Sequence, residues 1–315
     1  MSESSGIYAR HDLVDFYHKG FLEGQGCLAL NDICEGTLLL AVPLNCCLHA
    51  PIGLHRPEID LILSMVRAFK DDTSTMHSYM MSLYERRAQF ASHPVTWSEE
   101  SVLNRLQGTI AIDFIKNSII PLRTEVEWVM IENGLDLDDD LIGFFCALMF
   151  SRAFEHEICK IAMVPLADQF NHRSCDYSTI IRDDGLEGFK MYAERDINKG
   201  EQIFNFYGPY NNQWLFSTHG FVESNNPYDD TLFISNRLLL GNSADEMTVV
   251  HCASSIQVLA LEIPNTISNI EEILKKMMFY DDRSFGPPEI HAMIKSLKQS
   301  EMRALVNWLG SLKHH

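Results

Sequence analysis

The sequence predicts an α+β fold in which two strand-rich segments are separated by one helical segment and followed by another. Two observations lead to this prediction. The turn pattern Asp-Ile-x-x-Gly precedes an apolar run twice, at 32–36 and at 196–200, and its glycine permits the backbone conformations that tight turns need. Between and after these two copies, apolar residues recur at the three- and four-residue spacing of amphipathic helices.

Short apolar runs next to these turns define the strand-rich segments. In the first segment the runs are 28–30 and 38–43, and in the second they are 191–193 and 203–206. Apolar runs of this kind, bounded by turn residues, are typical of β-strands. The sequence therefore predicts strand, turn and strand in both segments.

The helical segments show a different periodicity. Residues 59–69 and 142–154 carry apolar side chains at helical intervals, and Ser98 precedes an acidic start, as expected for an N-cap. Towards the C-terminus the sequence predicts a strand and two amphipathic helices, at 231–240, 267–280 and 288–312.

Bulk composition indicates a soluble intracellular protein. The chain has 315 residues, of which 46% are hydrophobic and 22% charged. It contains no apolar run near the roughly 20 residues of a membrane span, and its N-terminus lacks the features of a secretion signal. The eight cysteines form no CxxC pair, so we expect reduced thiols, no structural zinc or other metal, and a cytoplasmic or nuclear location.

The charge balance narrows the class of partner. With 25 basic and 43 acidic side chains, the formal net charge is −18. Nucleic-acid binding depends on clustered Lys and Arg, so direct nucleic-acid binding is not expected. An acidic surface favours encounter with a basic protein. We therefore expect a protein substrate of basic character and no membrane partner.

Six short motifs, in this order along the chain, carry a resemblance to a known family. The motifs are Glu23-Gly24-Gln25-Gly26, Pro94-x-x-Trp97, Leu106-Gln107-Gly108-Thr109, Ser151-Arg152-Ala153-Phe154, Asp168-x-x-Asn171-His172, and the segment from Gly200 through Tyr207 to Val222. The ordered set covers about the first 225 residues and resembles the SET-domain protein methyltransferases of the Rubisco large-subunit methyltransferase-like class.

The resemblance implies a particular domain organisation. It implies a split, mostly β SET domain formed by 1–50 and 161–224, with a helical insert at 51–160. A short, mainly helical domain at 225–315 would resemble the substrate-binding domain of the family. The Tyr207 segment would pass the Asn171 segment in a knot-like threading, which is an exception to the usual unthreaded topology.

The resemblance also implies transfer of a methyl group from S-adenosyl-L-methionine to a lysine side-chain amine. Such a displacement depends on alignment and a favourable polar environment and needs no metal. The lysine must lose its proton, and burial in a narrow channel favours the neutral amine. The family places the tyrosine matched by Tyr207 where the channel meets the cofactor, as the catalytic residue. A core tyrosine with a satisfied hydroxyl is the structural alternative.

Other matched positions divide into two groups. The resemblance assigns cofactor binding to eight residues besides Tyr207, namely Glu23, Gly24, Gln25, Gly26, Asn171, His172, Asn212 and Phe221. It assigns the substrate side to Arg152, Phe154, Asp168 and His219. For Arg152 and Asp168 a buried structural ion pair is the alternative, and for Phe221 it is core packing.

Two positions depart from the family pattern. Arg173 follows Asn171-His172 where the family has serine, and His219 replaces the tyrosine that usually precedes Gly-Phe. Imidazole is shorter than phenol and titrates near neutrality. Protein-histidine methylation is therefore an alternative activity, and a catalytically weak SET-like interaction module is another. A helical adaptor built on the same scaffold is the third.

Overall fold

Two stretches of the chain that are far apart in sequence combine to form each of two units. The computed structural model describes residues 6–21, 24–50, 53, 55–235, 247–251, 263–279 and 287–313. Unit 1 takes its residues from 1–87 and 148–208, and unit 2 takes its residues from 88–147 and 209–315.

Unit 1 is rich in strands. In its described part, ten short strands form three antiparallel sheets with the orders β1-β4-β9-β8, β10-β3-β2 and β5-β7-β6. The strands are β1 (Tyr8–Ala9), β2 (Val14–Phe21), β3 (Gly24–Ala29), β4 (Leu38–Val42), β5 (Leu48–His49), β6 (Ala153–His156), β7 (Lys160–Met163), β8 (Thr179–Asp183), β9 (Phe189–Ala193) and β10 (Gln202–Ile203).

Each of these sheets joins strands from both sequence segments. Val42 of β4 pairs with Phe189 of β9, and Cys27 of β3 pairs with Ile203 of β10. The inward side chains of both segments share one apolar core, which includes Phe16, Leu39, Phe170, Met191 and Ile203. Neither segment could bury its apolar face alone, so burial of the shared core is what holds the two segments together.

Two helices complete the described part of unit 1. They are α1 (Pro57–Lys70) and α2 (His77–Glu85). Pro57 occupies the first turn of α1, where its missing N–H has no cost. A further helix, α6 (Asp139–Arg152), contains residues of both units and is buried along most of its length.

Unit 2 is mainly helical. Its helix α3 (Glu99–Arg105) begins at Ser98, whose Oγ accepts a hydrogen bond of 3.2 Å from the Ser101 N–H. The helix α7 (Asn212–His219) ends at Gly220, which has a φ of +76°. The remaining elements are α4 (Ala111–Phe114), a π-helical turn (Ile115–Ile119), α5 (Ile120–Glu132), β11 (Thr231–Ser235), β12 (Met247–His251), α8 (Ile263–Phe279) and α9 (Pro288–Lys313).

One apolar cluster of unit 2 is formed mainly by its C-terminal elements. Ile234 of β11, Ile270 of α8 and Trp308 of α9 are all buried in one apolar cluster. Glu301, also on α9, accepts hydrogen bonds of 2.8 Å and 2.7 Å from the N–H groups of Ile110 and Ala111. A side chain of α9 therefore caps the start of α4, where backbone donors have no partner within the helix.

The predicted element types are confirmed, with shifted ends. The strand expected at 203–206 stops at Ile203, because Asn205 leaves the sheet and forms bridges with His172 and Thr179. The helix expected at 142–154 starts at Asp139 and ends at Arg152, because Ala153–His156 pairs with Lys160–Met163 as a strand. The helix expected from 267 starts earlier, at Ile263. Residues 236–240 of the predicted strand, and Tyr280, lie outside the described residues.

Among the helices that the structure describes, none combines the length and apolar character needed to cross a membrane.

Candidate active site

Tyr207 is held by two hydrogen bonds within unit 1. Its hydroxyl donates to the Phe170 carbonyl oxygen at 2.7 Å, and its backbone N–H donates to His172 Nδ1 at 3.1 Å. The Tyr207 and His172 ring centroids are 4.9 Å apart. The backbone and the side-chain hydroxyl of Tyr207 are therefore both bound to the segment that contains Asn171 and His172.

Burial keeps the Tyr207 hydroxyl protonated. Desolvation is the largest influence and raises the pKa of Tyr207 to about 12; the charge of Arg152 lowers this pKa and that of Asp168 raises it. The hydroxyl donates its proton to the Phe170 carbonyl, and a phenolic oxygen can accept hydrogen bonds as well as donate one. Tyr207 thus presents a neutral phenol whose donor is satisfied.

His172 orients the residues around Tyr207. Its Nδ1 accepts the Tyr207 N–H, so the ring proton is on Nε2, which lies 3.1 Å from Ser174 Oγ. On its other side, the His172 ring lies near Phe206, at a centroid distance of 6.1 Å. Phe206 in turn stacks on Tyr177 at 4.9 Å. Aromatic rings therefore continue away from Tyr207 within unit 1.

The Asn171 side chain connects this segment to the glycine motif in β3. Its Nδ2 donates to the Gln25 carbonyl oxygen at 3.0 Å. A Cβ atom added at Gly26 would lie 2.8 Å from Asn171 Nδ2 and 2.8 Å from Gln202 Nε2. A side chain at position 26 would thus displace the Asn171 and Gln202 amides, and Gly24 has a φ of +95°, which favours glycine. Glu23 lies outside the described residues.

A buried polar network extends from Gln25 to the predicted substrate-side residues. Gln25 Nε2 and Arg86 Nη1 both donate to Gln169 Oε1, at 3.2 Å and 2.9 Å. Gln169 Nε2 donates to Asp168 Oδ1 at 2.8 Å. Arg152 donates to the Asp168 carbonyl oxygen, and its Nη1 lies 3.5 Å from Asp168 Oδ2. The network therefore joins Gln25, Arg152 and Asp168.

Electrostatics within the network reflect burial. The Asp168 side chain has no exposed surface, and 17% of the Arg152 side chain is exposed. Desolvation lowers the pKa of Arg86, and the nearby charge of Arg152 lowers it further. Desolvation also raises the pKa of Tyr79, with a further contribution from Asp168. The Asp168 carboxylate thus lies beside the Arg152 guanidinium, and its charge acts against the lowering of the Arg86 pKa.

Phe154 contacts the apolar core of unit 1. It packs against the apolar core of unit 1, with its ring centroid 6.3 Å from that of Phe189. The structure therefore gives Phe154 the surroundings of a core residue, and its predicted role on the substrate side stays a prediction.

Three predicted site residues lie on or next to α7 in unit 2. Asn212 Nδ2 donates to the Glu223 carbonyl oxygen and to Asp229 Oδ2, both at 2.9 Å. Asn212 Oδ1 accepts a hydrogen bond of 2.6 Å from the Glu223 N–H. Nδ1 of His219 lies 2.7 Å from Thr218 Oγ1, and its ring centroid lies 6.1 Å from that of Phe221. Asn212 is therefore committed to a loop within unit 2, and the cofactor roles of Asn212 and Phe221 stay predictions.

Three site residues were missed by the sequence analysis. Gln169 lies inside the Asp-x-x-Asn-His motif, which was a signal for it, whereas Arg86 has no comparable sequence signal. Gln202 lies beside Gly26, and none of the described residues accepts a hydrogen bond from its buried Nε2.

Relatives of known activity match much of the chain. No family model matches it. The ribosomal lysine N-methyltransferase set11 of Schizosaccharomyces pombe is 28% identical over 216 residues, which are 65% of this chain and 55% of that protein. The N-lysine methyltransferase setd6 of Danio rerio is 26% identical over 67% of this chain and 53% of that protein. The chain thus spans about half the length of these relatives.

Solved structures have the same fold. Rubisco LSMT bound to AdoMet aligns with a TM-score of 0.69 and 17% identity, over 98% of this chain and 88% of that chain. The SET domain of LSMT bound to lysine and AdoHcy aligns with a TM-score of 0.65 and 16% identity, over the same shares of the two chains. The fold is therefore that of a SET domain.

The sequence relatives and the aligned structures indicate the same class of methyltransferase. The relatives and the aligned structures confirm the resemblance to the SET-domain methyltransferases of the Rubisco large-subunit methyltransferase-like class.

Proposed function

We propose that this chain is a protein methyltransferase that uses S-adenosyl-L-methionine and acts on a lysine side-chain amine. The observation that carries the proposal is Tyr207, with its hydroxyl proton bound to the Phe170 carbonyl and its backbone bound to His172. The names of the relatives, which are lysine N-methyltransferases, support the same activity.

The residues around Gly26 fit a polar cofactor. The buried Gln202 Nε2 has no acceptor among the described residues, and it lies with Asn171 against Gly26. We propose that Gly24, Gln25, Gly26, Asn171 and His172 hold S-adenosyl-L-methionine, together with Glu23, Asn212 and Phe221. When bound, this cofactor supplies an electrophilic methyl group for in-line transfer to a neutral amine.

In this proposal Tyr207 orients the acceptor amine. Because its proton is directed to Phe170, its oxygen can accept an N–H of the amine and thereby direct the nitrogen lone pair. A pKa of about 12 keeps the phenol neutral over the physiological range. Tyr207 therefore acts by alignment and hydrogen bonding, and its side chain carries no negative charge.

We propose the substrate side from the Asp168 network. Arg152 and Asp168 form a buried pair, which lies close enough to Tyr207 to affect its pKa. We assign Arg152, Phe154, Asp168 and His219 to the substrate side, as the family resemblance implies. The charge of −18 supports a basic protein substrate and opposes direct nucleic-acid binding.

We also propose the finer domain organisation. It is a SET domain split between 1–50 and 161–224, a helical insert at 51–160, and a mainly helical C-terminal domain at 225–315. The Tyr207 segment would thread past the Asn171 segment, supported by the hydrogen bond of 2.8 Å from Asn205 N–H to the Asn171 carbonyl. A cytoplasmic or nuclear location is supported by the free thiols of the seven described cysteines.

The test is methyl transfer from radiolabelled S-adenosyl-L-methionine to proteins of a cell lysate, with the Tyr207→Phe variant as comparison. We expect this variant to lose about 10²-fold or more of the transfer rate while it retains its fold. The matched control is Tyr177→Phe, which removes a neighbouring phenol hydroxyl. Unchanged transfer by Tyr207→Phe would refute the assignment of the centre.

Mass spectrometry of the labelled protein identifies the acceptor. Methyl-lysine supports the proposal, whereas methyl-histidine would support the alternative suggested by His219. Cofactor binding by calorimetry without any transfer would indicate a SET-like interaction module.

A further inference from the structure

Helix α5 of unit 2 has apolar side chains on two opposite faces. Leu122, Val126 and Val129 are buried. Trp128 and Ile131 are 56% and 68% exposed. At 100° per residue, these two side chains point away from the buried face. A surface helix normally has one apolar face directed to the core and a polar face directed to water, so α5 departs from the usual pattern.

Acidic side chains border the exposed apolar pair. Glu127 lies on one side of it around the helix, and Glu125 and Glu132 lie on the other; all three are exposed. The chain from 124 to 140 contains seven acidic residues and no Lys or Arg. We call Trp128 and Ile131, with Glu125, Glu127 and Glu132, the Trp128 face.

These features match a known mode of recognition. Tryptophan is enriched among the residues that dominate binding energy at interfaces. Two apolar side chains at a spacing of three residues fit the apolar stripe of a second helix. Glutamates on both sides favour a partner with Lys or Arg flanking its own stripe.

We propose that the Trp128 face docks a basic amphipathic helix of the protein substrate. The identification of the partner as substrate rests on the proposed function, because a lysine methyltransferase acts on lysine-containing proteins. The docking itself rests on the exposed Trp128 and Ile131 and on the charge around them. The face would increase affinity for the whole substrate protein without taking part in methyl transfer.

Charge argues against three other occupants. A second copy of this chain, paired through a two-fold axis, would place the same glutamates opposite each other. Anionic lipid surfaces attract basic segments and would be repelled by this face. Nucleic acid would be repelled in the same way. A basic protein segment is the occupant that charge complementarity favours.

The test uses a synthetic peptide of about five helical turns, with a Leu stripe flanked by Lys and a fluorophore at one end. Binding is measured by fluorescence anisotropy without cofactor. We expect the double variant Trp128→Gln/Ile131→Gln to bind about tenfold or more weakly. Gln retains good helix propensity at these exposed positions, and circular dichroism checks that the variant is folded.

Two controls make the result specific. The matched variant Met278→Gln/Val306→Gln changes two other exposed apolar residues of unit 2 helices, 73% and 54% exposed, and should bind as tightly as the unmodified protein. A peptide with Glu in place of Lys should not bind. Added salt should weaken binding of the Lys peptide.

Equal binding by the unmodified protein and the Trp128→Gln/Ile131→Gln variant would overturn the proposal. So would sedimentation data in which the unmodified protein is a dimer and this variant a monomer, because the face would then join two copies. Peptide binding requires no transfer, so failure of the proposed activity and failure of the docking face remain distinguishable.

Discussion

Two buried polar clusters, one in each unit, satisfy their hydrogen bonds in different ways. In unit 1, Asp168 and Gln169 bond mainly to other side chains, those of Arg152, Arg86 and Gln25. In unit 2, the buried His93 and Glu301 bond to backbone groups, namely the Thr218 carbonyl and the N–H groups of Ile110 and Ala111. A backbone hydrogen-bonding group remains when the residue that carries it is substituted, whereas a side-chain partner is lost when its own residue is substituted.

This difference distinguishes a network suited to binding from contacts that stabilise local structure. Side-chain networks position several chemical groups relative to one another and require every member to be present. Bonds to backbone hold one element against another and depend on a single side chain. We therefore expect substitutions within the Asp168 network to be coupled, and those of His93 and Glu301 to act independently.

The largest effect is expected for Asp168→Ala in unit 1. This change removes the carboxylate and leaves the Arg152 guanidinium without its charge partner in a buried site. Breaking a buried ion pair typically costs about 3–5 kcal/mol of unfolding free energy, and chemical denaturation measures it. In the double variant Asp168→Ala/Arg152→Met the loss should be smaller. A larger loss in the double variant would contradict the proposed coupling.

The next effect concerns His93 and pH. Burial lowers the pKa of His93 from 6.5 to about 4, so the folded state keeps this ring neutral while the unfolded state takes up a proton. This contribution of His93 to the free energy of unfolding is present above pH 6.5 and is lost as the pH falls towards 4. Linkage gives about 3 kcal/mol over this interval.

Denaturation curves recorded between pH 7.5 and pH 4 measure this dependence. His93→Gln removes the titrating group while its amide can still donate to the Thr218 carbonyl. We expect a flatter pH profile for this variant than for the unmodified protein. Identical profiles would show that His93 does not contribute to acid sensitivity.

Glu301→Ala should have a slightly smaller effect. It leaves the N–H groups of Ile110 and Ala111 buried without their acceptor, which costs about 2–3 kcal/mol in total. Glu301→Gln keeps one acceptor oxygen and should lose less. Thermal unfolding of both variants at one pH provides the comparison, and equal losses would contradict the capping role.

The smallest effect is expected for Gln169→Leu. Arg86 and Gln25 lose a shared acceptor, at a cost of about 1–2 kcal/mol. A double-mutant cycle with Arg86→Met measures the coupling between these residues. Additive losses would place Gln169 and Arg86 outside a common network. Cofactor affinity by calorimetry should weaken in Gln169→Leu, because Gln25 belongs to the predicted cofactor motif.

Local patterns in the sequence predicted the type of most elements. The Asp-Ile-x-x-Gly turns led to β4 and to β10, and helical spacing led to α1 and α9. Element ends were less predictable, since they depend on pairing partners that a local pattern does not contain. Ala153, for example, follows a helical run but pairs with Met163 in a sheet.

The site could be predicted only where a motif was present. Asn171, His172 and Tyr207 come from motifs, and the structure brings their segments together in unit 1. Arg86 directly follows α2, far along the chain from Gln169, and carries no motif, so its contact with Gln169 Oε1 was not foreseeable. The cofactor role of Gly26 stays a prediction, and the position of Asn171 and Gln202 against it is known only from the structure.

The sequence by itself determined the mixed fold, the order of strand-rich and helical segments, and the resemblance that singled out Tyr207. Periodicity and turn chemistry are local properties, so both can be recognised from residues that are neighbours in the sequence. Only the tertiary structure decided that Gln25, Arg86, Asp168 and Gln169 share one buried network, and that Trp128 and Ile131 face solvent. Hydrogen bonding and burial depend on distances in space, and residues such as Gln25 and Gln169, which are 144 positions apart, come within bonding distance only when the chain folds.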